Sequence, residues 1–259
     1  MFGSRRCLIL ALAGWALSVP AFLSPVRGQT ASLPATVPST QPSTTMPSDS
    51  HLKRFGSHYK TCAERIAAMA GKPVDIIFIG DSITEGWILT PTPKYGAAGI
   101  AVWNKYYASR NALDFGVSAD GTEHVLWRLE HMDVKQFHPK VAVILIGTND
   151  YLDTPQQIAD GVKAVIAKTQ ETFPGVRIIL VSLTPTSRHT QTIADTDKII
   201  SQYDDGNTIF YFDLASKMPP VGNSWKGLYR DKLHLTPSGY EIWASEMDPL
   251  LDKLLKMQG

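Results

Sequence analysis

Residues 74–84 read Val-Asp-Ile-Ile-Phe-Ile-Gly-Asp-Ser-Ile-Thr, an apolar run that stops at a glycine and gives way to small polar residues. Val74–Ile79 is rich in Ile and almost unbroken by polar side chains, the composition of a strand covered on both faces. Two more runs have this character, Lys140–Ile146 (KVAVILI) and Val176–Leu183 (VRIILVSL). Ala112–Phe115 and Thr208–Leu214 are weaker strand candidates. Between them lie helical stretches at Gly99–Arg110, Thr122–Met132, Pro155–Phe173, Thr192–Tyr203 and Pro237–Lys256, with Leu52–Met69 ahead of the first strand. Pro155 and Pro237 fall near helix starts, where the missing N–H costs little. Strict alternation of this kind predicts an α/β protein with right-handed crossovers and a mainly parallel, doubly wound sheet of five strands. In such a sheet ligands bind beyond the carboxyl ends of the strands.

Three polar motifs fall at that edge. The first is Gly80-Asp81-Ser82-Ile83-Thr84, a strand-turn-helix that presents Ser82 at a helix N-terminus, where backbone N–H groups favour negative charge. A haloacid-dehalogenase-type phosphatase needs a second Asp at position 83, which is Ile. An α/β-hydrolase elbow needs Gly at position 84, which is Thr. A P-loop needs a Gly-Lys-Ser/Thr ending, which is missing. A serine nucleophile of another type survives, beside the plainer reading of a Ser that caps a helix. The second motif, Gly147-Thr148-Asn149-Asp150, offers the Asn149 amide to an oxyanion, or else an Asx turn that ends a strand. The third, Asp231-Lys232-Leu233-His234, spaces a carboxylate and an imidazole for a pair in which Asp231 fixes the ring and His234 takes a proton from serine. Its plainer reading is a capping Asp and a surface His. Together the three supply nucleophile, base, orienting acid and oxyanion donor.

GDSIT, GTND and DKLH, in this order and at these spacings, resemble the SGNH (GDSL) hydrolases over roughly residues 74–256. The stretch Asp114–Leu129 (DFGVSADGTEHVLWRL) is especially similar to the catalytic subunits of intracellular platelet-activating factor acetylhydrolase and their bacterial relatives. The resemblance implies a flavodoxin-like, three-layer α/β/α fold and a serine esterase that needs no metal or other cofactor. It implies Ser82 as nucleophile, His234 as base, Asp231 as its partner, and an oxyanion hole made by Ser82, Asn149 and a residue that is usually glycine. That last position holds Ala119. Alanine keeps the N–H, and adds strain of order 1 kcal/mol if the turn demands a positive φ.

The two ends of the chain differ in kind. Arg5 and Arg6 followed by the apolar Cys7–Leu17 predict an export signal over residues 1–28, too short for a spanning helix. In residues 29–50, 14 of 22 are Ser, Thr or Pro, which predicts an extended linker ahead of a single hydrolase domain at 51–259. The 259-residue chain has 25 basic and 24 acidic side chains. Residues 1–50 hold Arg5, Arg6, Arg27 and Asp49, so the predicted domain carries 22 basic and 23 acidic groups. A balance this even excludes a polybasic nucleic-acid binder, and 44% hydrophobic residues exclude a disordered chain.

Other candidates read as structural. Cys62, on a helix with no Gly-rich turn beside it, suits a buried thiol. Trp127 suits packing, His124 is a structural histidine before it is a cleft residue, and His131, His138 and His189 lack the spacing of a zinc site. Trp87, Tyr95, Trp225 and Tyr229 flank the first and third motifs, equally suited to a rim for sugar or acyl groups and to anchoring loops. The expected protein is secreted or periplasmic, without stable membrane insertion after signal removal. It acts on a small acyl ester or acetylated polysaccharide through an acyl-enzyme. Acyl transfer to a glycan acceptor, a lysophospholipase-like lipid esterase and a non-catalytic glycan-binding protein are the other functions this fold allows.

Overall fold

The apolar run that opens the first motif becomes the strand β1, Ile76–Gly80, every residue of it buried. It lies between β2 (Ala112–Gly116) and β3 (Val141–Leu145), followed outward by β4 (Arg177–Val181) and β5 (Ile209–Phe212), all parallel in the order β2-β1-β3-β4-β5. The computed structural model describes residues 49–91, 98–218 and 227–257, all within the compact unit Thr40–Gly259. The expected signal (1–28), the expected linker as far as residue 48, Cys7, Tyr95 and Trp225 lie outside the described residues.

Side chains alternate along each strand, so a sheet covered on both sides splits its apolar residues into two cores. Ile77, Ile79, Phe115, Ile144 and Leu180 face one core, packed by α1 (Asp49–Met69), α4 (Thr122–His131), α5 (Pro155–Thr172) and α6 (Thr190–Ile200). Ile76, Phe78, Val143, Leu145 and Val181 face the other, packed by α2 (Ser82–Glu85), α3 (Ile100–Tyr106), α7 (Leu214–Lys217) and α8 (Pro237–Lys256). Three layers result. Thr154 and Thr236 cap α5 and α8 by accepting the N–H of Gln157 and Gly239, each just before the proline at the first helical position.

The strand order reverses at β1: the chain leaves β1 for β2 on one side, then crosses back to β3 on the other. Crevices open at such a switch point, beyond the carboxyl ends. Here it is filled from below by α2. The β1 and β2 ends are in register at Gly80 and Gly116. A Cβ on Gly116 would sit 2.3 Å from the Glu85 nitrogen, and one on Gly80 2.1 Å from Thr84 Oγ1. Bare backbone at both strand ends therefore lets α2 lie on the sheet. From the far side the Tyr240 hydroxyl of α8 donates to the Ile83 carbonyl at 2.6 Å. Trp87, expected as rim or anchor, is fully buried, with its ring 4.5 Å from Tyr240 and 4.9 Å from Trp243. Tyr229 is buried as well, its hydroxyl donating to the Met218 carbonyl. Both are anchors. Cys62 is a fully buried free thiol, pushed up in pKa by that burial.

The close approach at Gly116 generates a prediction. Gly116→Ala forces a Cβ into α2 backbone that cannot move without moving Ser82, and should cost about 3 kcal/mol. Urea unfolding checks it, and a loss under ~0.5 kcal/mol would mean that α2 does not rest on this strand end.

Candidate active site

Ser82 begins α2, directly after Asp81. Asp81 caps that helix by accepting the Ile83 N–H at 2.8 Å. Its carboxyl is itself buried. Burial first, then the charges of Asp120 and Asp150, push it up to about 7 against the hydrogen bond from Ile83. The hydroxyl of Ser82 meets His234 Nε2 at 2.9 Å, and His234 Nδ1 meets Asp231 Oδ2 at 2.7 Å. The structure thus joins residues 152 positions apart into one hydrogen-bonded chain.

The third motif is built as a tight turn. Asp231 Oδ1 accepts the His234 N–H at 2.7 Å and the Leu233 N–H at 3.2 Å. Lys232 takes φ +64°, and a β-bridge between Tyr229 and Leu235 closes the loop behind it. One carboxylate oxygen therefore shapes the turn while the other orients the ring. Burial alone raises the Asp231 carboxyl, but the hydrogen bonds and charge of His234, with Arg230, outweigh it and hold the group below the usual range. Asp231 stays ionised, a state that suits it to partner a protonated imidazole.

The loop after β2 supplies the opposite wall. Ala119 lines the cleft with φ +68°, the left-handed conformation that favours glycine. Among the described residues, neither the Ala119 nor the Ser82 N–H donates to a protein acceptor. Two backbone donors without protein acceptors, on residues that share a cleft wall, suit an oxyanion. Asn149 also reaches the cleft, but its amide donates to the Asp120 carbonyl at 2.9 Å. Its contact to Asp81 Oδ2 is long, 3.4 Å, so one N–H is only weakly committed. Asn149 makes no Asx turn: its amide bridges the second motif to the loop of Ala119.

Four residues outside the three motifs hold that loop. Glu85, one turn after Ser82 and buried, accepts from both the N–H (3.0 Å) and the hydroxyl (2.5 Å) of Ser118. It also meets His58 Nδ1 of α1 at 3.0 Å. Burial would raise the Glu85 carboxyl, but the bonds from His58 and Ser118 bring it below its ordinary value. In return, the bond to Glu85 raises His58 in spite of its partial burial. Arg65 donates to the carbonyls of Asp114 (3.0 Å) and Gly116 (2.6 Å). Arg128, fully buried, donates to Asp120 Oδ2 (2.6 Å), to the Phe115 carbonyl (2.5 Å) and to the Gly80 carbonyl (3.0 Å). His58 and Arg65 lie seven apart on one face of α1, a spacing that by itself does not single them out in the sequence. His124 accepts the Gly121 N–H at 3.0 Å and so closes the start of α4.

A cleft of about 480 Å³ opens at the carboxyl edge, with Ser82, Ala119, Asn149, Asp231 and His234 in its wall. No group of three His, Cys, Asp or Glu among the described residues has metal-binding geometry. The constellation can take a proton from Ser82 with His234, stabilise negative charge at the Ser82 and Ala119 N–H groups, and hold a small molecule between them.

Comparison with known proteins is consistent with this geometry. A sequence model of the GDSL-like lipase/acylhydrolase family matches residues 78–242. The human platelet-activating factor acetylhydrolase IB subunit alpha1 is 28% identical over 137 residues, covering 53% of this chain and 55% of that protein. The chain thus spans about half the length of that relative. The bovine alpha2 subunit is 28% identical over 202 residues, 71% of this chain and 79% of that one. Among solved structures, a Bacteroides fragilis protein provisionally described as an acylhydrolase aligns with TM-score 0.62 at 21% identity, over 76% of this chain and 97% of its own. A carbohydrate acetylesterase from Sinorhizobium meliloti aligns with TM-score 0.53 at 15% identity, over 70% and 99%. At those identities the structures speak for the three-layer fold.

Two predictions come from the site. Ala119→Gly removes the cost of a left-handed alanine and should stabilise the protein by about 1 kcal/mol, measured by urea unfolding. Destabilisation would mean that the turn does not hold this conformation. The second concerns pH. Burial, as the largest cause in each, lifts Asp81, Asp114 and Asp150 from 3.8 to about 7. The folded state keeps their protons at a pH where the unfolded chain has lost them, so their contribution is full in acid and vanishes as pH rises through the folded values. The melting temperature should fall by at least about 5 °C between about pH 5 and pH 8. A rise across that window would contradict protonated buried carboxyls.

Proposed function

The chain belongs to the GDSL-like lipase/acylhydrolase family, and from that premise we propose that it is an exported serine esterase that removes small acyl groups, acetyl foremost, from carbohydrate. The observation that carries the chemistry is the unbroken contact Ser82 Oγ–His234 Nε2–Asp231 in a cleft that also holds two unsatisfied backbone donors.

His234 takes the Ser82 proton as the hydroxyl oxygen attacks the ester carbonyl. The carbonyl oxygen becomes an oxyanion at the N–H groups of Ser82 and Ala119. As the amide of Asn149 swings off the long contact to Asp81, it adds a third donor. The imidazolium, held by Asp231, then protonates the departing alcohol, and an acyl-Ser82 remains. Water enters, gives its proton to His234, attacks the acyl carbon and frees the acid, with the proton returned to Ser82. The ionised state of Asp231 supports its assignment as the partner that stabilises imidazolium.

The acetyl preference is supported by the two acetylhydrolase relatives, and export by the basic and apolar residues of the first 28 positions. A carbohydrate substrate is supported by the expected export and by the likeness in fold to a carbohydrate acetylesterase. The lipid reading keeps one point in its favour, the name of those same relatives.

Ser82→Ala should lower kcat for p-nitrophenyl acetate by about 10⁴-fold or more while the circular dichroism spectrum and melting temperature stay near the parent's. Turnover within tenfold of the parent's would remove Ser82 from the role of nucleophile.

A further inference from the structure

We propose that the cleft is built for an anionic substrate, an acetylated sugar that carries a carboxylate, and that Arg188 receives that carboxylate. This rests on the esterase reading above and names the substrate class for the same site.

Charge is distributed unevenly over the cleft wall. Three cationic or proton-accepting side chains border it besides His234: His58 from α1, Arg188 from the segment between β4 and α6, and Arg230 beside the third motif. Among the described lining residues the sole carboxylate is Asp231, already bonded to His234 at 2.7 Å. Arg188 is exposed, and its guanidinium makes no hydrogen bond or ion pair among the described residues; its backbone N–H alone is tied, to Thr186 Oγ1 at 3.1 Å. A cleft whose unpaired wall charge is cationic raises the local concentration of anions in the space it encloses. A substrate carboxylate entering there gains a fork-shaped donor at little cost in protein rearrangement.

The neighbouring surface argues for a sugar as the bearer of that charge. Directly after Arg188, the ring of His189 stacks on Tyr151 with centroids 4.6 Å apart and planes 13° from parallel, and Tyr151 is 38% exposed. A flat aromatic pair that includes the residue following Arg188 suits the C–H face of a pyranose with a carboxylate at its edge. The wall also has an apolar part, made by Phe55, Leu89, Ala98 and Leu233, which suits the small acyl group.

The test compares acetylated polygalacturonate oligomers with free carboxylates against the same oligomers methyl-esterified, with phenyl acetate as the control for basic esterase activity. The expected kcat/KM ratio, free acid over methyl ester, is about tenfold in the parent, carried in KM, and shrinks as salt rises because the contact is solvent-accessible. Arg188→Gln should bring the ratio near one, and Arg188→Lys should restore part of it. A ratio near one in the parent, or one that Arg188→Gln leaves intact, overturns the proposal. A kcat/KM for an acetylated glycerophospholipid in micelles above that for the free-acid oligomers overturns it too, in favour of a lipid. Failure of the parent to turn over phenyl acetate would count instead against the esterase reading.

Discussion

A guanidinium with no access to water, that of Arg128, ties three segments that are remote in sequence. It bonds the carbonyl that ends β1, a carbonyl near the end of β2, and the carboxylate of Asp120 in the loop that follows. Both partners of the ion pair are fully buried. Two charges are expensive to bury, and the cost is offset only where geometry is good and the remaining donors are satisfied. Here each of the three guanidinium nitrogens donates to an oxygen, and Asp120 takes a further bond from Tyr59 at 2.6 Å. The result is a rigid frame beneath the cleft. The end of β1 carries Ser82, the loop of Asp120 carries Ala119, and the Asp120 carbonyl holds Asn149. The proposed nucleophile and oxyanion donors thus share a single scaffold.

The proposed base arrives differently. Asp231 and His234 sit on a half-exposed turn, shaped by one carboxylate oxygen and closed by a β-bridge, and linked to the frame through the Ser82 hydroxyl. Rigidity is concentrated at the proposed oxyanion site, and the proposed proton carrier, His234, is placed on a loop at the solvent edge. That division suits acyl-enzyme chemistry, in which a fixed oxyanion site serves both steps while water must reach the base in the second.

Strand positions were legible because fully covered strands leave continuous apolar runs: β1, β3 and β4 lie inside Val74–Ile79 extended by one residue, Lys140–Ile146 and Val176–Leu183. Helix ends shifted by a few residues where propensity is weak, as at α3, which stops at Tyr106, short of Arg110. The motif residues could be found because each lies just beyond a strand or before the last helix. His58, Arg65 and Glu85 could not, since their partners are 27 to 51 positions away and their role exists only once α1 packs beside β2. Trp87 shows the same limit. Beside Gly86 it reads equally as rim or anchor, and only the single-turn length of α2 decides that it drops beneath the helix into the core.

The central claim is that Ser82 forms the covalent intermediate, with its reactivity dependent on His234. Intact and peptide mass spectrometry after treatment with a fluorophosphonate tests it most directly. One adduct per chain on the peptide containing Ser82, and its loss in His234→Ala with the fold retained, is the result predicted. An unlabelled Ser82 in the folded parent protein, or labelling that persists unchanged without His234, would contradict it.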